Sequence, residues 1–265
     1  MPRSYPDSGP PASAAGGPGR AALAIMARHP DPGCVKTRLA ATLGSARTDS
    51  LYRAWLADLA ERFTAGPLRL VWFFSPDERD FGAVVGRGCP CVAQGEGDLG
   101  DRMARAFERL LVEPPRGAPS PCTLSHEIVG EGDPGLEGGF TRVVMIGADV
   151  PHVPDEWLDA AVQGLNEYDV VLGPADDGGY YLVAMRTAHD LFRGIPMGTE
   201  HVLAATEARI AALGLRHWRL PPLFDIDREA DLPRLARFLI DHPDVRLPRT
   251  QAWLTQAKEE ACTTY

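Results

Sequence analysis

The segment that decides the fold occupies positions 21–39 and is AALAIMARHPDPGCVKTRL. Its first seven residues form a short apolar run, which is typical of a strand buried on both faces. The run ends at a turn-forming stretch, 29–33, that contains two prolines and a glycine. The segment therefore predicts a buried first strand followed by a loop, and the rest of the chain decides what surrounds them.

Similar apolar runs alternate with amphipathic stretches further along the chain. Leu51, Trp55, Leu59 and Phe63 recur every four residues, close to the period of a helix. Strands are predicted at 21–27, 68–74, 142–148, 169–172 and 180–185, and helices at 45–65, around 103–111, 154–165, 199–213, 228–240 and 248–261. Continuous apolar strands separated by helices predict an α/β fold in three layers, with a mostly parallel sheet covered by helices on both faces.

The length and local composition predict one folded domain with two irregular segments. At roughly 150 residues per domain, 265 residues allow one large domain or two small ones. Residues 1–20 hold five prolines and four glycines and hardly any large apolar side chain, so we expect a disordered tail. Residues 112–141 lack periodicity, so we expect a surface insertion there. The folded domain is then predicted at 21–262, without an internal repeat.

The net charge argues against one class of partner. The chain carries 27 basic and 36 acidic residues, a net charge of −9, and lacks the general basic surface that a nucleic acid requires. The five cysteines are scattered and form no CxxC pair, which favours reduced thiols over disulfides or a zinc site. No stretch approaches the ~18 apolar residues of a membrane span, and the N-terminus does not resemble a signal peptide, so we expect the cytoplasm.

The loop after the first strand has the composition of a phosphate site. Gly33 allows a close turn, and Arg28, Lys36 and Arg38 place three positive charges where a helix N-terminus also favours an anion. Lys36 is one of only two lysines among 27 basic residues, which indicates that a compact point charge is needed there. The alternative is a solvated basic turn that caps a helix, and the GxxxxGK[ST] spacing of a P-loop is absent.

Carboxylates occupy three of the later loops. Asp149 follows the strand at 142–148, a pair of carboxylates lies at 176–177, and Asp225 and Asp227 alternate in a further loop. Because ligands bind outside the carboxyl ends of the strands in such sheets, Asp149, Asp225 and Asp227 are candidates for holding Mg²⁺ or Mn²⁺ opposite the basic loop. The alternatives are a helix cap at Asp149 and a simple β-turn at the pair.

The four loops, in this order, resemble one known family. The matching segments are PxPGxVKTRL (30–39), QGxGDLGDRM (94–103), GADVP (147–151), LGPADDGGYYLVAM (172–185), GTEHVLAAT (198–206) and DIDREADL (225–232). They resemble the nucleotide-diphospho-sugar transferases of the glycosyltransferase-A (GT-A) type, and most closely the subfamily labelled arsenosugar-biosynthesis glycosyltransferases. The resemblance spans roughly residues 21–240 and implies the GT-A fold.

The resemblance also implies roles for single residues. The expected nucleotide contacts are Arg28, Gly33, Lys36, Arg38, Gly100, Asp101 and Arg102. Asp149 and Asp227 would bind the metal, joined by Asp225 from the alternation described above. The expected acceptor pocket comprises Asp177, Gly178, Gly179, Tyr180 and Thr199, and the catalytic candidates are Lys36, Arg38 and Asp177. Two positions depart from the family, because Arg28 stands where relatives often carry lysine and Met197 where they often carry tryptophan.

Three functions remain open at this point. Transfer of a glycosyl group from a nucleotide-sugar to a small-molecule acceptor is the usual assignment of the subfamily and the reaction we expect, with Asp177 taking the proton. The alternative is transfer of a nucleotidyl group from a nucleoside triphosphate to a small phosphorylated or acidic metabolite. Three cations suit a triphosphate, and the KTRL loop also resembles phospholactate and molybdenum-cofactor guanylyltransferases. The third is a non-catalytic nucleotide-binding protein. The sequence carries no indication of the oligomeric state.

Overall fold

The structure, a computed structural model, describes residues 20–111 and 139–263. The predicted tail, 1–20, and the predicted insertion, 112–141, lie almost entirely outside these residues. The strands are β1 (Ala21–Arg28), β2 (Arg69–Ser75), β3 (Cys91–Ala93), β4 (Arg142–Gly147), β5 (Val170–Pro174), β6 (Tyr180–Met185) and β7 (His217–Arg219). The helices are α1 (Thr37–Leu43), α2 (Ser45–Thr64), α3 (Gly82–Val85), α4 (Leu99–Leu110), α5 (Asp155–Gly164), α6 (Val202–Ala212), α7 (Asp231–Asp241) and α8 (Pro248–Thr263).

The described strands form one sheet in the order β3-β2-β1-β4-β6-β5-β7. Every neighbouring pair is parallel except those that involve β6, which runs antiparallel to both β4 and β5. The predicted α/β fold with a mostly parallel sheet is therefore confirmed. The pattern did not predict β3, β7 and α3, because three or four residues are too few to show a period. It also missed α1, a helix of seven residues in the stretch that was predicted to be a loop after β1.

Helices cover both faces of the sheet, as the buried strands require. Leu23 and Ile25 of β1 belong to one core, which they share with apolar side chains of α2, α5 and α7. Ala22 and Ala24 of the same strand belong to a second core, which includes side chains of α4 and α6. Successive residues of a strand point to opposite faces, so one continuous apolar run supplies both cores. No helix within the described ranges is long and apolar enough to cross a bilayer.

The strand order creates a crevice beside β1. The chain runs from β1 outward through β2 and β3, and later returns to place β4 on the other side of β1. The carboxyl ends of β1, β2 and β4 meet at one edge, with Arg28 beside Ser75 and Met26 beside Gly147. Open α/β sheets bind ligands at such reversals of strand order. The topology therefore directs the loops after β1 and β4 to a single place.

Candidate nucleotide site

A cleft of about 570 Å³ opens at this place. Its lining residues are Met26, Ala27, Arg28, Val35, Lys36, Thr37, Arg38, Tyr52, Ser75, Gln94, Gly97, Asp98, Leu99, Arg102, Gly147, Asp149 and Asp227. Six of the site residues expected from the sequence are among them, namely Arg28, Lys36, Arg38, Arg102, Asp149 and Asp227. Basic side chains from one half of the chain thus face carboxylates that come from the other half.

The Lys36 ammonium is the centre of this arrangement. Its Nζ lies 2.8 Å from Asp149 Oδ1 and 2.8 Å from Asp227 Oδ1, and only 6% of the side chain is exposed. Burial alone would lower the pKa of Lys36, but the two carboxylates outweigh burial and hold the pKa above its usual value. The ammonium is therefore charged and links two loops that are far apart in sequence.

The backbone at Lys36 has an uncommon conformation. Its φ of 49° and ψ of 45° lie in the left-handed region, and it is the one non-glycine residue with a positive φ in the described ranges. Residues that carry a Cβ atom seldom adopt backbone angles in this region. Lys36 is the N-cap residue of α1, which begins with Thr37 and Arg38.

Asp227 is held by contacts on both its side chain and its backbone. Its Oδ2 faces Arg38 Nη1 at 3.5 Å, on the side away from Lys36. Burial would raise the pKa of Asp227, but the charge and hydrogen bond of Lys36 and the charge of Arg38 lower it overall. The backbone N–H groups of Asp227 and Arg228 donate to Asp231 Oδ2 at 2.9 and 2.7 Å, so the first acid of α7 fixes the loop.

Asp149 is the more accessible of the two carboxylates, with 52% of its side chain exposed. Helix α5 begins at Asp155 with Pro154 as its N-cap, so Asp149 does not cap a helix and that alternative is wrong. The Asp149 carbonyl oxygen accepts a hydrogen bond from the Ile226 N–H at 3.1 Å. This bond ties the loop after β4 directly to the loop that carries Asp227.

Among the described residues, one cation on the basic side of the cleft has no protein partner. Within the described ranges the Arg28 guanidinium makes no ion pair or hydrogen bond, and it is exposed at the cleft wall. Tyr52 fixes the backbone beneath it, because its hydroxyl donates to the Arg28 carbonyl at 3.0 Å and accepts from the Arg28 N–H at 3.2 Å. Arg38 also keeps 69% of its side chain exposed. Both guanidinium groups are available to an anion.

Gln94 organises the opposite wall. Its amide nitrogen donates to the carbonyl oxygens of Ala27 at 3.2 Å and Phe73 at 2.9 Å, which joins it to the ends of β1 and β2. Its amide oxygen faces Arg102 Nη1 at 3.5 Å, and Arg102 Nε donates to the Gly97 carbonyl at 3.0 Å. Sequence reasoning missed the roles of Gln94 and Tyr52, although Gln94 opens one of the quoted motifs.

Three expected nucleotide contacts lie beside the cleft and do not line it. Asp101 forms a capping box with Asp98 at the start of α4. Gly100 packs so tightly that a Cβ would lie 2.6 Å from the Phe192 carbonyl oxygen. Gly33 occupies an exposed turn with a φ of 72°. Arg102 and the loop 97–99 do line the cleft, and the roles expected of Gly33, Gly100 and Asp101 toward a nucleotide stay predictions.

The expected acceptor residues gather at the β5–β6 turn, outside the cleft wall. Asp177 is exposed, and its Oδ1 accepts the Gly179 N–H at 2.9 Å. Gly178 has a φ of 88°, and its carbonyl accepts the Leu203 N–H at 3.0 Å. The Tyr180 hydroxyl faces Met197 Sδ at 3.8 Å, and Thr199 Oγ1 donates to the Pro196 carbonyl at 3.1 Å. The antiparallel pairing of β5 with β6 shows that the segment is a turn between strands, and its role toward an acceptor stays a prediction.

Asp225 differs from the other two metal candidates. Burial and, after it, the charges of Asp149, Asp177 and Asp227 raise the pKa of Asp225 to about 7. The side chain is partly buried and does not line the cleft. Asp149 and Asp227 thus line the cleft and Asp225 does not, and the role of Asp225 as a third metal ligand stays a prediction.

The donor set at the cleft fits a cation that arrives with phosphate. Within residues 20–111 and 139–263 no three acidic, histidine or cysteine side chains come together as a ready-made cation site. Asp149 and Asp227 nevertheless direct one oxygen each to a common point, where Lys36 Nζ lies. Magnesium is usually held by one or two carboxylates together with substrate phosphates and water. Two carboxylates opposite a basic wall match that pattern.

Solved structures with a similar fold include two informative ones. A protein from Desulfovibrio desulfuricans G20, provisionally described as a nucleotide-diphospho-sugar transferase, is 28% identical with a TM-score of 0.75, covering 91% of this chain and 96% of that one. The inositol-1-phosphate CTP transferase from T. maritima is 12% identical with a TM-score of 0.51, covering 86% and 97%. The similarity to the transferase from T. maritima concerns the fold alone.

The chain is also similar in sequence to a guanylyltransferase and to a family of bacterial proteins. The 3-phospho-D-glycerate guanylyltransferase of Phenylobacterium zucineum (strain HLK1) is 27% identical over 155 residues, which are 57% of this chain. The match covers 61% of that enzyme's length. A sequence profile of the family described as "Uncharacterized protein conserved in bacteria (DUF2064)" matches residues 58–199. Since this match spans more than half of the 265 residues, the chain belongs to that family.

Proposed function

We propose that the protein is a nucleotidyltransferase that binds a nucleoside triphosphate and a divalent cation in the cleft and transfers the nucleotidyl group to a small phosphorylated or acidic acceptor. The observation that carries this proposal is the cleft itself, in which Arg28, Lys36, Arg38 and Arg102 face Asp149 and Asp227. Four cations match a triphosphate better than a diphosphate that is already esterified to a sugar. The guanylyltransferase relative makes GTP the first nucleotide to test.

The charges at the cleft suit a reaction in which negative charge grows on a leaving pyrophosphate. Pre-placed cations stabilise such charge without reorganising when the bond breaks. The exposed guanidinium groups of Arg28 and Arg38 are placed to bind non-bridging phosphate oxygens, each with two parallel donors. Arg102, anchored through Gln94 and Gly97, would hold its position while the nucleotide binds.

The reaction requires one bond to form and one to break. An acceptor carboxylate or phosphate oxygen attacks the α-phosphorus, a new P–O bond forms, and the bond to the β-phosphate oxygen breaks so that pyrophosphate leaves. An ionised acceptor already carries the attacking electron pair, so no side chain has to remove a proton. A cation held by Asp149 and Asp227 would act as a Lewis acid on the phosphate oxygens.

Glycosyl transfer from a nucleotide-sugar is the second candidate. The structural relative from Desulfovibrio desulfuricans, which covers nearly the whole chain, is described as a nucleotide-diphospho-sugar transferase. In this reaction the acceptor hydroxyl must lose a proton, and the exposed Asp177 carboxylate at the β5–β6 turn is the group to accept it. None of the relatives described above is an arsenosugar enzyme, so that substrate is not part of the proposal.

Direct product analysis separates the two reactions. The protein is incubated with Mg²⁺ or Mn²⁺, each of the four nucleoside triphosphates and a set of phosphorylated carboxylates that includes 3-phosphoglycerate. Pyrophosphate release and the mass of the nucleotidyl product are then measured. Release that depends on the acceptor supports the proposal. Consumption of a nucleotide-sugar with release of a nucleoside diphosphate, and no reaction with any triphosphate, would replace it with glycosyl transfer.

The matched control for this experiment uses the chain's only other lysine. Lys36→Met should reduce turnover by about a hundredfold or more, because it removes a pre-placed cation from the reacting phosphates. Lys258 is exposed on α8, away from the cleft-lining set. Lys258→Met removes the same charge and should leave turnover unchanged. Equal losses in both variants would show that net charge, and not the site, is responsible.

A further inference from the structure

We propose that Lys36 acts as a stand-in for the divalent cation: in the nucleotide-free protein its ammonium takes the position between Asp149 and Asp227, and it gives up that position only when the cation arrives with a nucleotide. This inference rests on the proposed function and goes beyond it by assigning an order of binding. It makes Lys36 a group with two successive partners, first the carboxylates and then phosphate.

The geometry of the ion pair supports the first of these partners. One Nζ atom lies at 2.8 Å from an oxygen of each carboxylate, so the ammonium bridges the same two oxygens that a divalent cation would bridge. An ammonium and a divalent cation repel each other strongly within a few ångströms, especially where water is largely excluded. The two therefore compete for one position and cannot share it.

The local structure holds the ammonium in this place. The side chain is 6% exposed, its Nζ lies 5.7 Å from the centre of the buried Trp55 ring, and its backbone adopts the left-handed conformation. An ammonium is a compact cation that bridges two single oxygens, whereas a guanidinium is a wide planar fork. A chain that has 27 basic residues and only two lysines uses one of them here. The position therefore favours the one cationic side chain whose shape resembles a metal ion.

The charges explain why the cation alone would displace Lys36 poorly. If a cation enters without nucleotide, the released ammonium loses both carboxylates in a cleft whose lining also carries the positive charges of Arg28 and Arg38. A triphosphate brings about four negative charges to the same wall and supplies a new partner for the ammonium. A ligand shifts an equilibrium only by its differential affinity for the two states. The cation–nucleotide complex favours the state with Lys36 released, because its phosphates bind the ammonium, whereas the free cation offers the ammonium no new partner.

The test measures binding of Mn²⁺ alone, by electron paramagnetic resonance of the free ion, in the absence of nucleotide. If the ammonium bridges the carboxylates in about nine molecules out of ten or more, it lowers the apparent Mn²⁺ affinity about tenfold or more. Lys36→Met should therefore bind Mn²⁺ about tenfold or more tightly than the wild-type protein. This increase in Mn²⁺ affinity should disappear in the double variant that carries both Lys36→Met and Asp149→Asn. Lys258→Met, the matched control, should bind Mn²⁺ as the wild-type protein does.

A second readout uses the unsubstituted protein and so does not depend on the folding of a variant. Selective ¹³C and ¹⁵N labelling of lysine side chains gives signals from only Lys36 and Lys258. Millimolar Mg²⁺ alone should leave the Lys36 signal in place. Mg²⁺ together with a non-hydrolysable triphosphate analogue should shift it, and the Lys258 signal should remain constant in both additions.

The outcomes separate this inference from the proposed function. If Lys36→Met binds Mn²⁺ no more tightly than the wild-type protein, or if Mg²⁺ alone shifts the Lys36 signal fully, the stand-in role is overturned even though the protein binds Mg²⁺–nucleotide. If no nucleotide binds the wild-type protein under any condition, the proposed function fails and the inference falls with it. A tenfold gain that depends on Asp149, together with the nucleotide-dependent shift, supports both.

Discussion

Acidification should destabilise the protein through His152, a buried histidine in the loop between Asp149 and α5. The ring is fully buried between Phe224 and Phe238, with centroid distances of 4.3 and 4.9 Å, and neither ring nitrogen has a hydrogen-bond partner in the described part of the chain. Burial first, and then the charges of Arg234, Arg62 and His242, lower the pKa of His152 from 6.5 to about 3. The imidazole is therefore neutral in the folded protein.

The direction and size of the effect follow from proton linkage. Well above pH 6.5 this histidine is neutral in both the folded and the unfolded protein, so its titration does not reduce the free energy of unfolding there. As the pH falls from 6.5 toward 3, the unfolded chain binds a proton that the folded protein does not, so stability is lost. Each pH unit below 6.5 lowers the free energy of unfolding by about 1.4 kcal/mol. At pH 5, which is 1.5 units lower, the loss is about 2 kcal/mol.

Urea unfolding at pH 7.5 and pH 5.0, on the wild-type protein and on His152→Phe, measures this quantity. Phenylalanine keeps an aromatic ring in an apolar site and removes the titration. Other groups also titrate in this range, so the relevant number is the difference between the two proteins. The free energy of unfolding of His152→Phe relative to wild type should rise by about 2 kcal/mol between pH 7.5 and pH 5.0.

The control is His201→Gln, because the His201 side chain is 79% exposed. It should show no change in the pH dependence of stability. If His152→Phe and the wild-type protein lose stability in parallel between the two pH values, the histidine is protonated in the folded protein and the argument from burial is refuted.

Three further predictions test other parts of the structure. Arg28→Ala should weaken nucleotide binding about tenfold to a hundredfold, as expected for a lost charge-assisted hydrogen bond, with an almost unchanged melting temperature; unaltered affinity by calorimetry would remove Arg28 from the site. Gly178→Ala should lower the melting temperature clearly, because φ is 88° and a Cβ would overlap the Glu200 carbonyl, whereas Gly194→Ala, with a φ of 75° and open space around it, should cost less; equal shifts would refute the packing argument. Asp58→Asn should cost about 2 kcal/mol or more in urea unfolding, because this buried carboxylate accepts the first N–H groups of α8; a loss below about 0.5 kcal/mol would contradict it.

The sequence predicts the sheet and the position of the cleft because both depend on local patterns. The apolar run at 21–27 and its later counterparts fix which segments become strands, and parallel strands bring their carboxyl ends together. The link between β5 and β6 is only five residues long, too short for the crossover that a parallel pair needs. That spacing accounts for the antiparallel direction of β6 in the described sheet.

Contacts between side chains and distant backbone are not visible in such patterns. Gln94 reaches the carbonyl oxygens of Ala27 and Phe73, and Tyr52 reaches both backbone groups of Arg28, but nothing in the local sequence indicates these partners. Lys36 shows the same limit in a different way. Its presence indicates a phosphate site, and only the three-dimensional structure reveals that its ammonium bridges two carboxylates.

Calorimetric titration with a non-hydrolysable GTP analogue, with and without Mg²⁺, tests most directly whether the cleft binds a cation-bridged triphosphate. The wild-type protein should bind the analogue more tightly when Mg²⁺ is present. Asp149→Asn should bind it with the same affinity in both conditions, because one of the two carboxylates at the common point is lost. A full Mg²⁺ effect in Asp149→Asn would contradict the proposed site.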